Sequence, residues 1–168
     1  MKKLIAAILA LNLLGITSAA AHQPVILLNS DTTPSAGPLL VDGTVSFAIR
    51  AAFSKAGQKK AFRAQLQEGD QLDVQYLIVD KRPENKLKNS KLPQLVITSP
   101  SGKKIVMKYT ERTEFYEPYG RTMYLYLSRI SEAAEPGIYS FVATSRAKAE
   151  ITIAVGEKEI PGEVLRDQ

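Results

Sequence analysis

The chain has no cysteine and a single histidine, His22, among its 168 residues. Without cysteine it can form neither a disulfide nor a thiolate site. Ser-His-Asp and Cys-His sets and most metal-hydrolase sites need residue types that this interior lacks. The composition therefore excludes most of the familiar nucleophilic and metal-hydrolase sites, and it favours a protein without catalytic activity.

Long apolar runs are also scarce, and the one clear example is at the start of the chain. Two lysines precede an apolar stretch at residues 4–16, and Ala19-x-Ala21 supplies the small residues that a signal peptidase needs. We expect a helical signal peptide over residues 1–21, cleaved before His22 or one residue earlier. No later stretch approaches the ~20 apolar residues that span a bilayer. A periplasmic or secreted protein with no transmembrane anchor in the mature chain is predicted.

The excess of positive charge is small. The net charge of the full sequence is +5, but two of its lysines lie in the predicted signal peptide. The mature chain therefore has 20 lysines and arginines against 17 aspartates and glutamates. Interleaved lysine and glutamate indicate a solvated surface rather than a nucleic-acid interface, which needs basic residues on one face. We expect no nucleic acid partner. A mature chain of this length buries enough surface to dispense with disulfides.

Alternation of apolar and polar residues dominates the mature chain. Apolar residues occupy every second position over residues 45–53, which predicts a strand with one buried face. A glycine-containing turn separates this segment from residues 62–66, so the two are predicted to form a hairpin. Residues 81–93 read as an exposed loop with nothing to offer a core. Further strands are predicted at 24–28, 72–78, 95–98, 105–109, 123–128, 138–144 and 149–155.

Short strands between frequent turns, with no long helix after the leader, are typical of an all-β fold. We predict an antiparallel β-sandwich, jelly-roll or immunoglobulin-like, of about seven to nine strands. The sandwich domain is assigned to residues 22–156. Residues 157–168, charged and broken by Pro161-Gly162, are assigned to a C-terminal tail.

His22 has the only imidazole in the sequence, and this is the one side chain that could bind a metal through nitrogen. If the mature chain starts at His22, its α-amino group and imidazole can chelate Cu(II), which favours nitrogen ligands. Any further ligands would be carboxylates, and the pattern points to none in particular. The alternative is a terminus exposed to solvent, as termini usually are. Apart from this possible copper, no cofactor is expected.

Tyrosines are concentrated in one region of the chain. Tyr116, Tyr119, Tyr124 and Tyr126 lie close together, with Tyr109 and Phe115 nearby. Exposed aromatic rings with polar tips suit sugar rings or protein partners. The alternative is packing, because Tyr124 and Tyr126 alternate with apolar residues as in a strand. The basic loop at residues 81–91 offers a further contact for an acidic envelope polymer.

Two sets of polar residues have the spacing of catalytic groups. The S-x-x-K spacing occurs at Ser101 and Ser145, but that motif acts from a helix and both serines lie in predicted turns. Two glutamate pairs could hydrolyse glycosides if held ~5 to 9.5 Å apart. These pairs are Glu114 with Glu117 and Glu132 with Glu135. Both flank turn prolines, so solvated loop acids are the preferred interpretation.

Several strand-and-turn motifs follow a recognisable order from residue 68 onward. Glu68-Gly69-Asp70 precedes a strand, residues 96–103 read Val-Ile-Thr-Ser-Pro-Ser-Gly-Lys, and residues 136–141 read Pro-Gly-Ile-Tyr-Ser-Phe. This order resembles the bacterial pre-peptidase C-terminal domain and related Golgi-dynamics-type sandwiches. The chain lacks the dense aspartate pattern of calcium sites. The resemblance implies an exported, non-enzymatic jelly-roll module.

These observations favour an exported β-sandwich that binds a protein or an envelope polymer and catalyses nothing. Two alternatives remain open. One is a periplasmic copper-binding protein that uses His22, and the other is a carbohydrate-binding module that uses the tyrosine-rich residues 109–126.

Overall fold

Two β-sheets packed face to face form the protein, which confirms the predicted β-sandwich. The computed structural model describes residues 22–166, so the predicted signal peptide lies outside the described residues. Within this range there are twelve strands and two single turns of 3-10 helix, and no helix is long and apolar enough to cross a membrane. The strands are β1 (Gln23–Ile26), β2 (Leu39–Leu40), β3 (Phe47–Phe53), β4 (Lys59–Leu66), β5 (Gln71–Val79), β6 (Gln94–Thr98), β7 (Lys104–Val106), β8 (Thr113–Glu117), β9 (Thr122–Ala133), β10 (Gly137–Thr144), β11 (Ala149–Val155) and β12 (Val164–Leu165).

Each sheet contains six strands within the described residues. The first sheet has the order β1-β3-β11-β5-β9-β8, and the second has the order β12-β2-β4-β10-β6-β7. Most neighbours are antiparallel, as predicted, but β1 pairs with β3 and β2 pairs with β4 in parallel. The sheets are therefore mixed. The three strands that alternation did not predict are β2, β8 and β12, of which β2 and β12 have two residues each.

The predicted hairpin between β3 and β4 is wrong. β3 lies in the first sheet and β4 in the second, so the turn at residues 54–58 crosses from one sheet to the other. Alternation identifies the buried face of a strand but not the sheet to which the strand belongs. The strands predicted at 95–98 and 105–109 are antiparallel neighbours, β6 and β7, and the turn at Ser99-Pro100-Ser101-Gly102 joins them.

The core lies between the sheets and is built from the inward positions of both. Phe62 on β4 and Phe141 on β10 are directly paired, and their rings stack with centroids 4.3 Å apart. Leu92, in the segment expected to offer nothing to the core, is completely buried there. The burial of Leu92 could not be predicted from the sequence pattern, because charged residues surround Leu92 in the chain.

Residues 157–166, which the sequence pattern assigns to a tail, run back across the sandwich. β12 pairs with β2, and the backbone of Lys158 bridges to Val45. The side-chain amide of Gln23 exchanges two 3.0 Å hydrogen bonds with the backbone of Gly162. These contacts connect the end of the chain to strands β1 and β2.

The protein should lose stability at alkaline pH because of two tyrosines, Tyr76 in the core and Tyr109 packed against it. The hydroxyls of Tyr76 and Tyr109 both donate to the carbonyl of Pro93, and burial raises the pKa of each phenol. A raised pKa in the folded state stabilises the protein fully below the unfolded pKa of about 10, and this stability is lost as pH rises further. Urea unfolding between pH 8 and 11 should therefore show the free energy of unfolding falling from about pH 10 upward.

Tyr109→Phe removes one of these ionising groups and should make that fall shallower. The control is Tyr116→Phe, which removes the same hydroxyl from an exposed side chain outside the core. An unchanged slope in Tyr109→Phe would contradict the assignment.

Candidate functional site

A groove of about 200 Å³ crosses the outer face of the first sheet. Strands β3 and β11, at its floor, point small residues outward, including Ala48, Thr152 and Ala154, whereas the β8–β9 hairpin points aromatic rings outward. Short side chains beside tall ones leave a depression. We call this surface the tyrosine groove, and its lining residues are His22, Pro24, Ala48, Arg50, Gln75, Leu77, Phe115, Glu117, Tyr119, Gly120, Tyr124, Tyr126, Thr152 and Ala154.

The strand register places these residues in rows across the sheet. Arg50, Thr152, Leu77 and Tyr126 are successive cross-strand partners, and they form one row over four strands. Since successive outward residues are two positions apart, Tyr124 lies about 7 Å along β9 from Tyr126 on the same face. The groove therefore offers two phenol rings in sequence along one wall.

The aromatic wall is held by contacts among its own members. The rings of Phe115 and Tyr126 pack at a tilt with centroids 5.1 Å apart. The guanidinium of Arg129 lies 4.7 Å from the centroid of the Tyr126 ring. Glu111 accepts two hydrogen bonds from Arg129, at 2.8 and 2.7 Å, and so fixes the guanidinium in place. A wall of this kind is formed before any ligand arrives, which lowers the entropy cost of binding.

Electrostatics keep the Tyr126 phenol neutral. Burial raises its pKa, and the nearby Arg129 partly opposes that shift. Because the pKa moves upward from about 10, the hydroxyl is protonated at neutral pH and can donate a hydrogen bond. The ring thus presents an apolar face with a polar edge.

The tip of the β8–β9 hairpin brings Tyr119 to the groove. The carboxylate of Glu117 accepts hydrogen bonds from the backbone N–H groups of Tyr119 and Gly120, at 2.8 and 2.6 Å. A Cβ at Gly120 would stand 2.8 Å from a carboxylate oxygen of Glu117, so glycine suits this turn. The turn holds Tyr119, whose side chain is 58% exposed, at the mouth of the groove.

Polar side chains along the floor and wall have hydrogen-bonding capacity to spare. Among residues 22–166, the side chains of Arg50, Gln75 and Thr152 form no hydrogen bond, and Arg50 forms no ion pair. They provide a guanidinium, an amide and a hydroxyl that are free to bind a ligand. Unused polar groups beside aromatic rings are typical of a small-molecule or oligomer site.

His22 lies at the rim of the groove, where its Nδ1 is hydrogen-bonded to the hydroxyl of Ser46. This nitrogen is the one that closes a chelate with an α-amino group, so copper would have to displace Ser46. Within the described range, no group of three or more histidine, aspartate or glutamate side chains is placed to hold a metal ion. The copper site therefore stays a prediction, and a titration against His22→Ala would test it.

The four tyrosines singled out from the sequence do not all share one surface. Tyr119, Tyr124 and Tyr126 line the groove. Tyr116 pairs with Met123 on the opposite face of the hairpin, where it is 53% exposed. Strand alternation explains the separation, because adjacent residues of a strand point to opposite faces. Tyr116 directly follows Phe115, which faces the groove.

Several groove residues were not predicted from the sequence. Arg50, Gln75, Leu77 and Thr152 all belong to strands that were predicted. Their outward direction could be read from alternation, since each stands between core residues. Their proximity could not, because it depends on the strand order.

The residues with catalytic spacing have structural partners. Ser99 and Ser101 both donate to Glu135, which joins two loops at one end of the sandwich. Ser145 donates to the backbone carbonyl of Lys55 at 2.7 Å. Glu132 is paired with Lys103 at 3.8 Å. These contacts hold Ser101, Ser145 and Glu135 in turns and loops at the ends of the sandwich, and Glu132 near the end of β9.

Comparisons with known proteins show distant likenesses of fold. The pre-peptidase C-terminal domain of a collagenase from Bacillus anthracis is similar with a TM-score of 0.38 and 8% identity, covering 82% of this chain and 94% of that one. PliG from Salmonella Typhimurium, a periplasmic inhibitor of g-type lysozyme, is similar with a TM-score of 0.40 and 11% identity, covering 82% of this chain and 100% of that one. No protein-family model and no curated protein matches the chain. The resemblance to the pre-peptidase C-terminal domain indicated by the sequence is thus found again, at low similarity.

Proposed function

We propose that this chain is an exported, non-enzymatic binding module whose tyrosine groove binds the sugar rings of an envelope glycan. The observation that carries the proposal is the aromatic wall standing beside free hydrogen-bonding groups. Tyr124 and Tyr126 follow one another along this wall, and Arg50, Gln75 and Thr152 face them without partners among the described residues.

The chemistry of a sugar ring matches both halves of the groove. A pyranose presents C–H groups on its faces, which pack against an aromatic ring, and hydroxyls on its edge, which need hydrogen-bond partners. Aromatic side chains supply rigid contact area with a polar tip. Amide and guanidinium groups supply directed donors. If the partner were a protein, each free polar group of the groove would need its own matching group on that protein. Binding of a protein is the competing outcome of the test.

Removing one ring of the wall should weaken glycan binding strongly. We expect Tyr124→Ala to reduce affinity about tenfold, since burying an aromatic-sized apolar side chain contributes ~1.5 to 3 kcal/mol and 1.4 kcal/mol corresponds to a factor of ten. A glycan array identifies ligands, and isothermal titration then compares the variant with the parent protein. Tyr119→Ala should act in the same direction, and its exposed position makes unfolding no concern.

Tyr116→Ala is the matched control. It removes the same side chain from the opposite face of the same hairpin, so glycan affinity should stay within about twofold. If no glycan binds, or if Tyr116→Ala weakens binding as much as Tyr124→Ala does, the proposal is wrong. Capture of a protein that competes with no sugar would favour the protein-binding alternative.

A further inference from the structure

Charge is distributed unequally between the two ends of the sandwich. At the end where β5 stops and β11 begins, five connections carry nine lysines and arginines against three acids. These connections are residues 27–38, 54–58, 80–93, 118–121 and 145–148. None of the nine basic residues forms an ion pair within residues 22–166.

The opposite end of the sandwich has the reverse charge. Its connections carry seven acids against two lysines, and they are residues 41–46, 67–70, 99–103, 134–136 and 156–163. A small net charge thus hides a basic end and an acidic end. Clustered charge of one sign raises the local concentration of ligands of the other sign.

The tyrosine groove is continuous with the basic end. A second cavity of about 230 Å³ shares Arg50, Tyr124 and Thr152 with the groove. A third depression of about 350 Å³ shares Val79 and Glu150 with the second cavity and reaches the connections of the basic end. The three form one track that runs along the strands.

The length of this track suits a polymer better than a single sugar. The five residues from Gln75 to Val79 alone extend about 13 Å along β5, in four steps of ~3.3 Å. Beyond Val79 the track passes Lys81, Arg82 and Lys148, which share the lining of the third depression with Glu84 and Glu150. Basic residues therefore outnumber acids where the track ends.

Arg50 occupies the middle of the track. It lines both the groove and the second cavity, between the Tyr124 wall and strand β1. Since no described acid pairs with it, its guanidinium can hold a ligand carboxylate by two parallel hydrogen bonds. A neutral sugar would leave this charge without its best partner.

We propose that the groove binds an acidic polysaccharide, with Arg50 on a sugar carboxylate and the rest of the chain running toward the basic end. This inference rests on the proposed function and adds the charge of the ligand. The complementary charge at the end of the track selects a polyanion over a neutral glycan, and the paired tyrosines select sugar rings over a bare anion.

The test compares oligogalacturonate with its methyl ester, which has the same rings without the negative charges. Isothermal titration should show the acid form binding about tenfold tighter or more, because hydrogen bonds between two charged groups are stronger than those to a neutral ester. Arg50→Gln should abolish most of that preference, because it should weaken binding of the acid form much more than binding of the ester. Arg50 is exposed, so the variant should fold normally.

A pair of double variants tests whether the bound polysaccharide runs toward the basic end. Lys81→Gln with Arg82→Gln should weaken binding of the acid form and reduce its salt dependence. Lys103→Gln with Lys158→Gln removes the same charge from the acidic end and should change neither. Equal weakening by both double variants would contradict the proposed track.

The remaining outcomes separate the two proposals. Equal binding of acid and ester that still depends on Tyr124 would overturn the inference and leave the proposed function standing. Binding of neither form, together with an empty glycan array, would overturn both. Binding of oligothymidylate as strong as that of oligogalacturonate, unaffected by Tyr124→Ala, would mean attraction to any polyanion and would also overturn the inference.

Discussion

Replacing Asp31 with alanine should remove about 3 to 5 kcal/mol from the free energy of unfolding, the usual cost of breaking a buried ion pair. The Asp31 side chain is almost fully buried, and both of its oxygens accept from Arg166, at 3.0 and 2.9 Å. One oxygen also accepts from the backbone N–H of Leu28 at 2.7 Å. Nearby, the buried Lys60 donates to the carbonyl of Leu27.

The cost arises because Asp31 compensates two cations and holds two segments. Its loss would leave the Lys60 ammonium buried without a carboxylate, in a site where burial already lowers the pKa of that lysine and Asp31 opposes the shift. It would also release Arg166, which ties the end of the chain to β1 through the carbonyl of Ile26. Because small domains are stable by only ~5 to 15 kcal/mol, the variant should unfold at much lower urea concentration.

Glu111→Ala provides the matched control for this prediction. Glu111 also accepts two hydrogen bonds from one arginine, Arg129, but its side chain is 23% exposed whereas that of Asp31 is 2% exposed. A solvated ion pair contributes about 1 kcal/mol or less, so urea unfolding should show only a small change. Equal losses of unfolding free energy in Asp31→Ala and Glu111→Ala would contradict the explanation that burial makes the Asp31 pair the more stabilising one.

Gly156→Ala should destabilise the protein by about 2 to 5 kcal/mol. Gly156 has φ = +71°, which costs an alanine ~1 to 2 kcal/mol, and its added Cβ would stand 2.3 Å from the carbonyl oxygen of Val45. Since that neighbour is backbone, relief requires a shift of the chain, at a further ~1 to 3 kcal/mol. The shift would strain the adjacent bonds from Glu157 and Lys158 to Thr44, which begin the return of the chain across the sandwich.

Gly57→Ala separates conformational strain from the clash. Gly57 has φ = +83°, but a Cβ there would meet nothing within 4 Å. Its variant should lose only the ~1 to 2 kcal/mol of strain. Thermal and urea unfolding of the two variants measures the difference, and a loss at Gly57 as large as at Gly156 would refute the close-contact explanation.

Strand periodicity was sufficient to predict nine of the twelve strands found in residues 22–166. The outward and inward positions of β3, β5 and β11 follow directly from alternation at every second residue, because a strand exposes its side chains to two faces in turn. The turn at Gly102 also follows from local chemistry, since glycine there adopts φ = +89°. These features depend on neighbours in the chain, so the sequence displays them.

The candidate site was only partly predictable. The concentration of tyrosines pointed to the β8–β9 hairpin, where Tyr119, Tyr124 and Tyr126 share a surface. Tyr116 does not, because the register of β8 turns it to the other face. Arg50 was missed because β3, β11, β5 and β9 become neighbours only when the sheet assembles.

The amino-acid pattern alone thus sufficed for a disulfide-free, all-β protein with an aromatic hairpin, since composition and period are local properties. Assembly of the two sheets determined the rest. It sent β3 and β4 to different sheets, brought residues 157–166 back against β2, and placed Arg50 beside Tyr124 on a track toward the basic end. Such long-range pairings are set by the packing of whole faces, because burying the core requires a strand order that no single strand encodes.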